Sequence, residues 1–173
     1  MTTLVLVAYV AAIVAANWLT DHYGLLSVGV GLAATAGTYA AGLALLLRDV
    51  VQDVCGTRWV LVGIATGAAL TAVTAPALAL ASATAFLLAE LLDMAVYTPL
   101  RRRGWARAAL ASGVAGAAVD TIAFLALAGF PLTAAVVGGQ LVGKVLWATA
   151  LPVVAVLAIR MVRRAVPRHS LGT

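Results

Sequence analysis

Apolar residues fill most of this chain, and short polar, glycine- or proline-containing stretches interrupt them at fairly regular intervals. Most of the six apolar segments approach or exceed the roughly 20 residues that a helix needs to cross a bilayer. The predicted helices cover residues 3–19, 25–47, 59–74, 78–98, 106–130 and 134–162. We therefore predict an all-α integral membrane protein, a compact bundle of six transmembrane helices forming one transmembrane domain over residues 1–173.

The composition supports lipid as the surrounding solvent. Hydrophobic residues make up 64% of the chain and charged residues only 10%, which is too little polar surface to coat a water-soluble protein. The 11 Lys and Arg residues outnumber the 6 Asp and Glu residues. Most of them lie at predicted helix ends, so we interpret them as topology signals and expect no nucleic-acid partner.

The basic residues also predict an orientation. Connections around Asp21, Pro76 and Pro131 contain no Lys or Arg, and the other connections and the C-terminal region hold nearly all of them. These basic positions are Arg48, Arg58, Arg101, Arg102, Arg103, Arg107, Arg160, Arg163, Arg164 and Arg168. The positive-inside rule then predicts both termini in the cytoplasm of a multi-pass protein in a bacterial-type inner (plasma) membrane. No basic residue precedes the first apolar segment, which favours a retained helix over a cleaved signal peptide.

Six polar residues interrupt the apolar segments near their middles. A charge at mid-bilayer costs about 2.5 to 3.5 kcal/mol on insertion scales, so these side chains should face the protein interior. Glu90 and Asp93 share one face of the fourth helix, and Gln140 and Lys144 share one face of the sixth. The predicted substrate-binding residues are Asn17, Glu90, Asp93, Asp120, Gln140 and Lys144. The alternative is that Lys144 only ties two helices together through one carboxylate.

A further charged group, Arg48, Asp49 and Asp53, is predicted at the cytoplasmic end of the second helix. It is either a gate for substrate release or an interfacial cluster that fixes helix depth. Small-residue pairs, Gly63 with Gly67 and Gly139 with Gly143, favour close helix packing within the chain over a dimer face. The sequence leaves the oligomeric state, including a homo-oligomer, open.

Motifs for catalysis and for cofactors do not emerge from the sequence. It contains no Ser-His-Asp set in catalytic order, and its single cysteine, Cys55, excludes a multi-cysteine metal site. Residues 138–144 imitate a phosphate-binding loop, but Val145 replaces the required Ser or Thr and the segment is an apolar helix. We expect no enzymatic activity, no catalytic residue, no metal and no cofactor.

Several of these segments together resemble the VUT family, a family of proposed queuosine-precursor transporters. The likeness lies in residues 16–19 (ANWL), 47–53 (LRDVVQD) followed by Gly56, 85–93 (AFLLAELLD), 112–124 with Val119-Asp120-Thr121 at the centre, and 140–144 (QLVGK). The resemblance covers nearly the whole chain in the same order. It implies six membrane helices and uptake of a 7-deazapurine, such as 7-cyano-7-deazaguanine, its aminomethyl relative or queuine, for making a modified tRNA base.

The polar residues suit such a ligand. A guanine-like ring presents adjacent N–H donors that one carboxylate accepts in two bonds, a role for Glu90 or Asp93. Its carbonyl accepts from an amide or ammonium, for which Gln140, Lys144 and Asn17 are candidates. Trp147, on the same helix as Lys144, is a candidate stacking surface, against the alternative of a packed or lipid-facing tryptophan.

Two other functions remain compatible with the sequence. The chain lacks its own nucleotide site, so it suits a substrate-binding membrane subunit of a vitamin-type uptake system that needs a separate ATP-driven module. The other is a non-transporting membrane scaffold. Transport in a host without the module separates the first from a transporter, and ligand-dependent stabilisation separates the second.

Overall fold

The computed structural model describes residues 2–165, except for the side chains of residues 147–149 and 162–165. Helices dominate it, which confirms the all-α membrane class apart from one short hairpin. In chain order the elements are α1 (Thr2–Tyr23), β1 (Leu25–Gly29), β2 (Leu32–Thr35), α2 (Thr38–Cys55), α3 (Thr57–Thr74), α4 (Pro76–Arg101), α5 (Trp105–Leu127), α6 (Ala134–Leu141), a π-helical segment (Val142–Ala150) and α7 (Leu151–Ala165).

Five helical stretches within the described residues are long and apolar enough to cross a membrane. They are α1, α3, α4, α5 and the continuous helix over Ala134–Met161, which joins α6, the π-helical segment and most of α7. The remaining long helix, α2, has 18 residues but carries Arg48, Asp49 and Asp53. The sixth span therefore depends on whether α2 buries these charges against its neighbours.

The prediction of a helix over 25–47 is wrong for its first part, because residues 25–35 form a two-stranded antiparallel hairpin. Its two-residue turn, Val30 and Gly31, has positive φ at both positions, the combination that a tight hairpin turn of type I′ requires. Gly24, just before the first strand, and Gly29, its last residue, have positive φ as well. Apolar content alone does not separate such a glycine-punctuated hairpin from a helix.

The second helix also ends later than predicted. It continues to Cys55 and stops at Gly56, whose φ of 88° suits a residue without a side chain. Arg48 and Asp49 therefore lie about two turns inside α2 rather than at its end. Both are buried, at 2% and 7% exposure, so Arg48 does not serve as the interfacial topology signal that its position in the sequence suggested.

The bundle has two distinct ends. At the hairpin end, Leu25 and Ala33 pack with the start of α4, the end of α5 and the start of α6. At the opposite end, Tyr97 of α4 packs with the start of α5 and with Val153 of α7. We call this the arginine end, because the exposed arginines Arg58, Arg101, Arg102, Arg103, Arg107 and Arg160 belong to the helix termini gathered there.

Glycines bring the helices into close contact. A Cβ at Gly63 would lie 2.6 Å from the Tyr9 ring, and one at Gly67 would lie 2.8 Å from Ile13 Cγ2, so α3 packs directly on α1. A Cβ at Gly139 would collide with the backbone of Ala33 in the hairpin. Both small-residue pairs thus serve packing within the chain, as the sequence favoured.

Candidate binding cavity and buried ion cluster

A small polar cavity lies beneath the hairpin. We call it the polar cavity. α1, β2, α2, α4, α5, α6 and the π-helical segment line it, and its polar lining consists of Asn17, Thr20, Thr35, Ser82, Asp120, Gln140 and Lys144. Its volume is about 20 Å³, which is room for about one water molecule. Four of the six predicted substrate-binding residues meet here.

The charged pair of the cavity joins α5 to the π-helical segment. Lys144 Nζ donates to Asp120 Oδ2 at 2.7 Å and lies 3.2 Å from the hydroxyl of Thr121. The side chains of Lys144 and Asp120 are only 1% and 4% exposed. The contact that the alternative expects, between Lys144 and one carboxylate of another helix, is therefore present, and the same pair also faces the cavity.

Gln140 connects the cavity to the hairpin. Its Nε2 donates to Thr35 Oγ1 at 3.1 Å, and its Oε1 accepts from Thr38 Oγ1 at 3.2 Å. Thr35 ends β2 and Thr38 begins α2, so one amide holds the junction between hairpin and helix. Opening the hairpin would break the hydrogen bond to Thr35 and free the N–H donor group of the Gln140 amide.

Asn17 occupies the opposite wall. Its Nδ2 lies 3.0 Å from the Ile13 carbonyl oxygen, 2.9 Å from Ser82 Oγ and 3.4 Å from Thr71 Oγ1. These contacts join α1 to α3 and α4. The rings of Phe86 and Phe124 complete the lining and supply flat apolar surfaces next to the polar groups.

A second buried site, the Arg48 cluster, consists of Arg48, Asp49, Glu90 and Asp93. The guanidinium of Arg48 contacts Asp49 Oδ1 at 2.8 Å, Glu90 Oε2 at 2.8 Å and Asp93 Oδ2 at 2.5 Å. All four residues are at most 7% exposed. Glu90 Oε1 is buried and has no hydrogen-bond partner among residues 2–165. These ion pairs let α2 bury its charges against α4.

The polar face of α4 continues from this cluster toward the arginine end. Tyr97 Oη donates to Asp53 Oδ2 at 3.3 Å, and Arg101 Nη2 lies 2.9 Å from Asp53 Oδ1. The Arg101 side chain is 54% exposed and that of Asp53 25%. Asp53 thus marks where the buried polar face reaches the surface, whereas Arg48 and Asp49 lie deeper.

The structure thus divides the six predicted residues between two sites. Asn17, Asp120, Gln140 and Lys144 line the polar cavity, whereas Glu90 and Asp93 pair with Arg48 outside its lining. The expectation of one cavity shared by three carboxylates and one ammonium is therefore not met by this arrangement. Arg48 is the counter-ion of the two α4 carboxylates, because α2 continues as a helix beyond residue 47 and places Arg48 beside Glu90 and Asp93.

Sequence reasoning missed several residues of these sites. Thr35 and Thr38 were hidden by the prediction of continuous helix, and Ser82, Phe86 and Phe124 belong to types that are common in membrane helices. The signal for Ser82 and Phe86 was their spacing, since they precede Glu90 by eight and four residues on the same helical face. The side chain of Trp147, the predicted stacking surface, lies outside the described residues, as do the side chains of Arg163 and Arg164 and the whole of Arg168.

Comparison with known proteins gives one match. The model of a protein family described as “Putative vitamin uptake transporter” matches residues 3–159, which is most of the chain. No curated protein and no solved structure matches it.

Proposed function

The chain belongs to the family described as “Putative vitamin uptake transporter”, and we propose that it imports a queuosine precursor, 7-cyano-7-deazaguanine or a related 7-deazapurine, for tRNA modification. It is a multi-pass membrane protein of a transporter family, and the substrate is the part that we propose. The observation that carries the proposal is the polar cavity, whose lining brings together a carboxylate, an ammonium, two amides and two phenylalanine rings.

Each group of the cavity has a counterpart on a 7-deazaguanine ring. Asp120 has a second carboxylate oxygen besides the one facing Lys144, and adjacent ring and exocyclic N–H groups donate to a carboxylate in two parallel bonds. Lys144, Gln140 or Asn17 donates to the ring carbonyl. Phe86 and Phe124 offer faces for stacking. This assigns the carboxylate role to Asp120 in place of Glu90 or Asp93.

Ligand entry requires the site to open. A volume of about 20 Å³ is far below the roughly 300 Å³ or more of typical small-molecule pockets. The hairpin is the part of the lining that is not a membrane-length helix. Hydrogen bonds of Thr35 with Gln140 and Thr38, the close packing of Ala33 on Gly139, and the apolar contacts of Leu25 hold it against the bundle. We infer that the hairpin moves as a lid and that the hairpin end faces outward.

We also propose a topology and a membrane location. With α2 as the sixth span, the arginine end lies in the cytoplasm and both termini lie there too. The hairpin end, which has no Lys or Arg in its connections, then faces the outside of a bacterial-type inner membrane. Substrate enters beneath the hairpin and leaves toward the arginine end, past the Arg48 cluster. This cluster contains Arg48 and Asp49, two of the three residues for which a gate was one of the two sequence-based alternatives.

Complementation tests this function directly. A host unable to synthesise the precursor expresses the protein and receives low external 7-cyano-7-deazaguanine, and queuosine in its tRNA is measured. We expect restoration by the wild type and by Asp21→Asn, which removes an exposed carboxylate, but not by Asp120→Asn. No restoration by the wild type with any 7-deazapurine contradicts the substrate proposal.

A binding measurement separates the alternatives. Ligand at a hundred times its Kd stabilises a protein by about 2.7 kcal/mol, so 7-cyano-7-deazaguanine should raise the Tm of the purified protein. A scaffold shows no such rise. A subunit that needs an ATP-driven module shows the rise, yet fails to take up the labelled compound in liposomes that contain this chain alone.

A further inference from the structure

The Arg48 cluster has an unbalanced charge. One guanidinium faces three carboxylates, so with every group ionised the cluster carries a net charge of −2. Lys144 is matched by a carboxylate of its own, Asp120, at 2.7 Å. Burying two uncompensated charges costs far more than binding a proton, and closely spaced carboxylates do not all ionise together.

Among the three carboxyl groups, Glu90 is the one we expect to carry a proton. Its Oε2 contacts Arg48 Nε, but its Oε1 is buried without a hydrogen-bond partner in the described part of the chain. An unpaired neutral oxygen at this position costs less than an unpaired charged one. Asp93 and Asp49 each place an oxygen on Arg48 as well, so the three acids compete for one cation.

Within the described part of the chain, the ion pairs of the cluster involve one cation, Arg48. The titratable or charged groups that face the cluster are Tyr9 of α1, Asp53 of α2 and Tyr97 of α4, besides the four members themselves. On the side of α5, Gly113 and Gly116 close a narrow cleft against Asp49 and Asp93. The nearest arginine toward the surface, Arg101, pairs with Asp53.

The cluster is also connected to both ends of the protein. On α4, Ser82 and Phe86 line the polar cavity, Glu90 and Asp93 follow on the next turns, and Tyr97 with Asp53 reaches the arginine end. From Phe86 to Glu90 the helix rises only about 6 Å. A movement of α4 that opened the polar cavity toward the arginine end would therefore also displace Glu90 and Asp93 from Arg48.

We propose that the Arg48 cluster is a proton-binding site that couples substrate import to proton entry, with Glu90 carrying the proton. In the closed state Glu90 is a neutral carboxylic acid. When α4 moves and the cluster opens toward Asp53, Glu90 releases one proton to the cytoplasm and becomes a carboxylate. A proton from the outer side neutralises it again. The site is distinct from the substrate cavity, and the coupling rests on the proposed transport function.

Infrared spectroscopy tests the proton itself without any substrate. Protonated carboxyl groups absorb in a region free of other protein bands and shift on exchange into heavy water. We expect the purified wild type to show such a band at neutral pH, Glu90→Gln to lose it, and the exposed-site control Asp21→Asn to keep it. Its absence from the wild type overturns the proposal, whatever the variants do. A band that persists in Glu90→Gln assigns the proton to another group and overturns the role of Glu90.

Liposomes containing the purified protein test the coupling. With one proton moving per neutral substrate, a gradient of one pH unit sustains up to about tenfold accumulation of labelled 7-cyano-7-deazaguanine, because one unit corresponds to about 1.4 kcal/mol. We expect the wild type to accumulate the compound and Glu90→Gln to lose the dependence on the pH gradient.

The outcomes of the liposome experiment separate the two proposals. Exchange of labelled for unlabelled compound without any response to the pH gradient refutes the coupling and leaves the transport function standing. A response to a sodium gradient in place of the pH gradient makes the cluster a cation site and also refutes it. No exchange at all refutes the proposed substrate, and the infrared result then decides the proton site alone.

Discussion

Arg48 Nε lies 2.8 Å from Glu90 Oε2, across the contact between α2 and α4. The sequence suggested that Arg48 marks the membrane surface and that Glu90 lines the substrate site, yet the two side chains meet in one buried contact. Arg48 thereby makes the carboxylates of α4 tolerable at membrane depth. The pair also explains how α2, which carries Arg48, Asp49 and Asp53, packs inside the bundle.

The first prediction concerns this arginine. Arg48→Met removes the one cation of the cluster and leaves three buried carboxylates, so it should lower the free energy of unfolding by about 3 to 5 kcal/mol. Thermal unfolding in detergent measures the loss. Adding Glu90→Gln and Asp93→Asn to Arg48→Met should recover much of the stability, because the remaining buried charge falls.

The control is an exposed arginine. Arg103→Met should change the free energy of unfolding by less than about 0.5 kcal/mol. Equal effects of Arg48→Met and Arg103→Met contradict a stabilising role of the cluster.

Much of the fold was predictable from apolar length. The positions of α1, α3, α4 and α5 follow from segments near the length that a bilayer requires, interrupted by Gly, Pro and Arg. The hairpin was not predictable in this way, since residues 25–35 are as apolar as a span. What separates them from a helix is backbone conformation, with positive φ at Val30 and Gly31.

The candidate sites were predictable as a set of residues but not as pairs. A charge in an apolar segment must find a partner, and the sequence identified every charged member of both sites. Which charges meet depends on the register between helices. Because α2 extends to Cys55, Arg48 lies inside this helix and contacts Glu90 of α4. Lys144 contacts Asp120 of α5.

The second prediction concerns the contact between the hairpin and α6. A Cβ at Gly139 meets backbone atoms of Ala33, which cannot rotate away, whereas a Cβ at the neighbouring Gly138 meets only the side chain of Leu32, at 3.3 Å. Gly139→Ala should therefore displace the hairpin and reduce uptake strongly, and Gly138→Ala should retain most of it. Uptake of labelled 7-cyano-7-deazaguanine, with protein amount in the membrane as the control, measures both. Equal uptake by the two variants argues against the hairpin as a lid.

The third prediction tests the orientation. Asp21 and Thr133 are exposed near the hairpin end, and Gly104 is exposed at the arginine end. In a Cys55→Ser background, single cysteines at Asp21 and Thr133 should react with a membrane-impermeant thiol reagent in whole cells. A cysteine at Gly104 should react only after the membrane is permeabilised. The reverse pattern would place the arginine end outside and overturn the proposed direction of import.

The last prediction asks whether Lys144 binds substrate or only joins two helices. Lys144→Met removes the ammonium that Asp120 contacts, and Asp120→Asn removes the charged partner that Lys144 contacts at 2.7 Å, so each single change should destabilise the protein. The double variant Asp120→Asn with Lys144→Met removes both charges and should recover stability. Glu90→Gln combined with Lys144→Met should not, because Glu90 pairs with Arg48. Thermal unfolding and uptake, measured on the singles and both doubles, decide between the roles. If the pair holds substrate, the stable Asp120→Asn and Lys144→Met double still fails to take up 7-cyano-7-deazaguanine, and recovery of uptake together with stability removes both residues from the binding site.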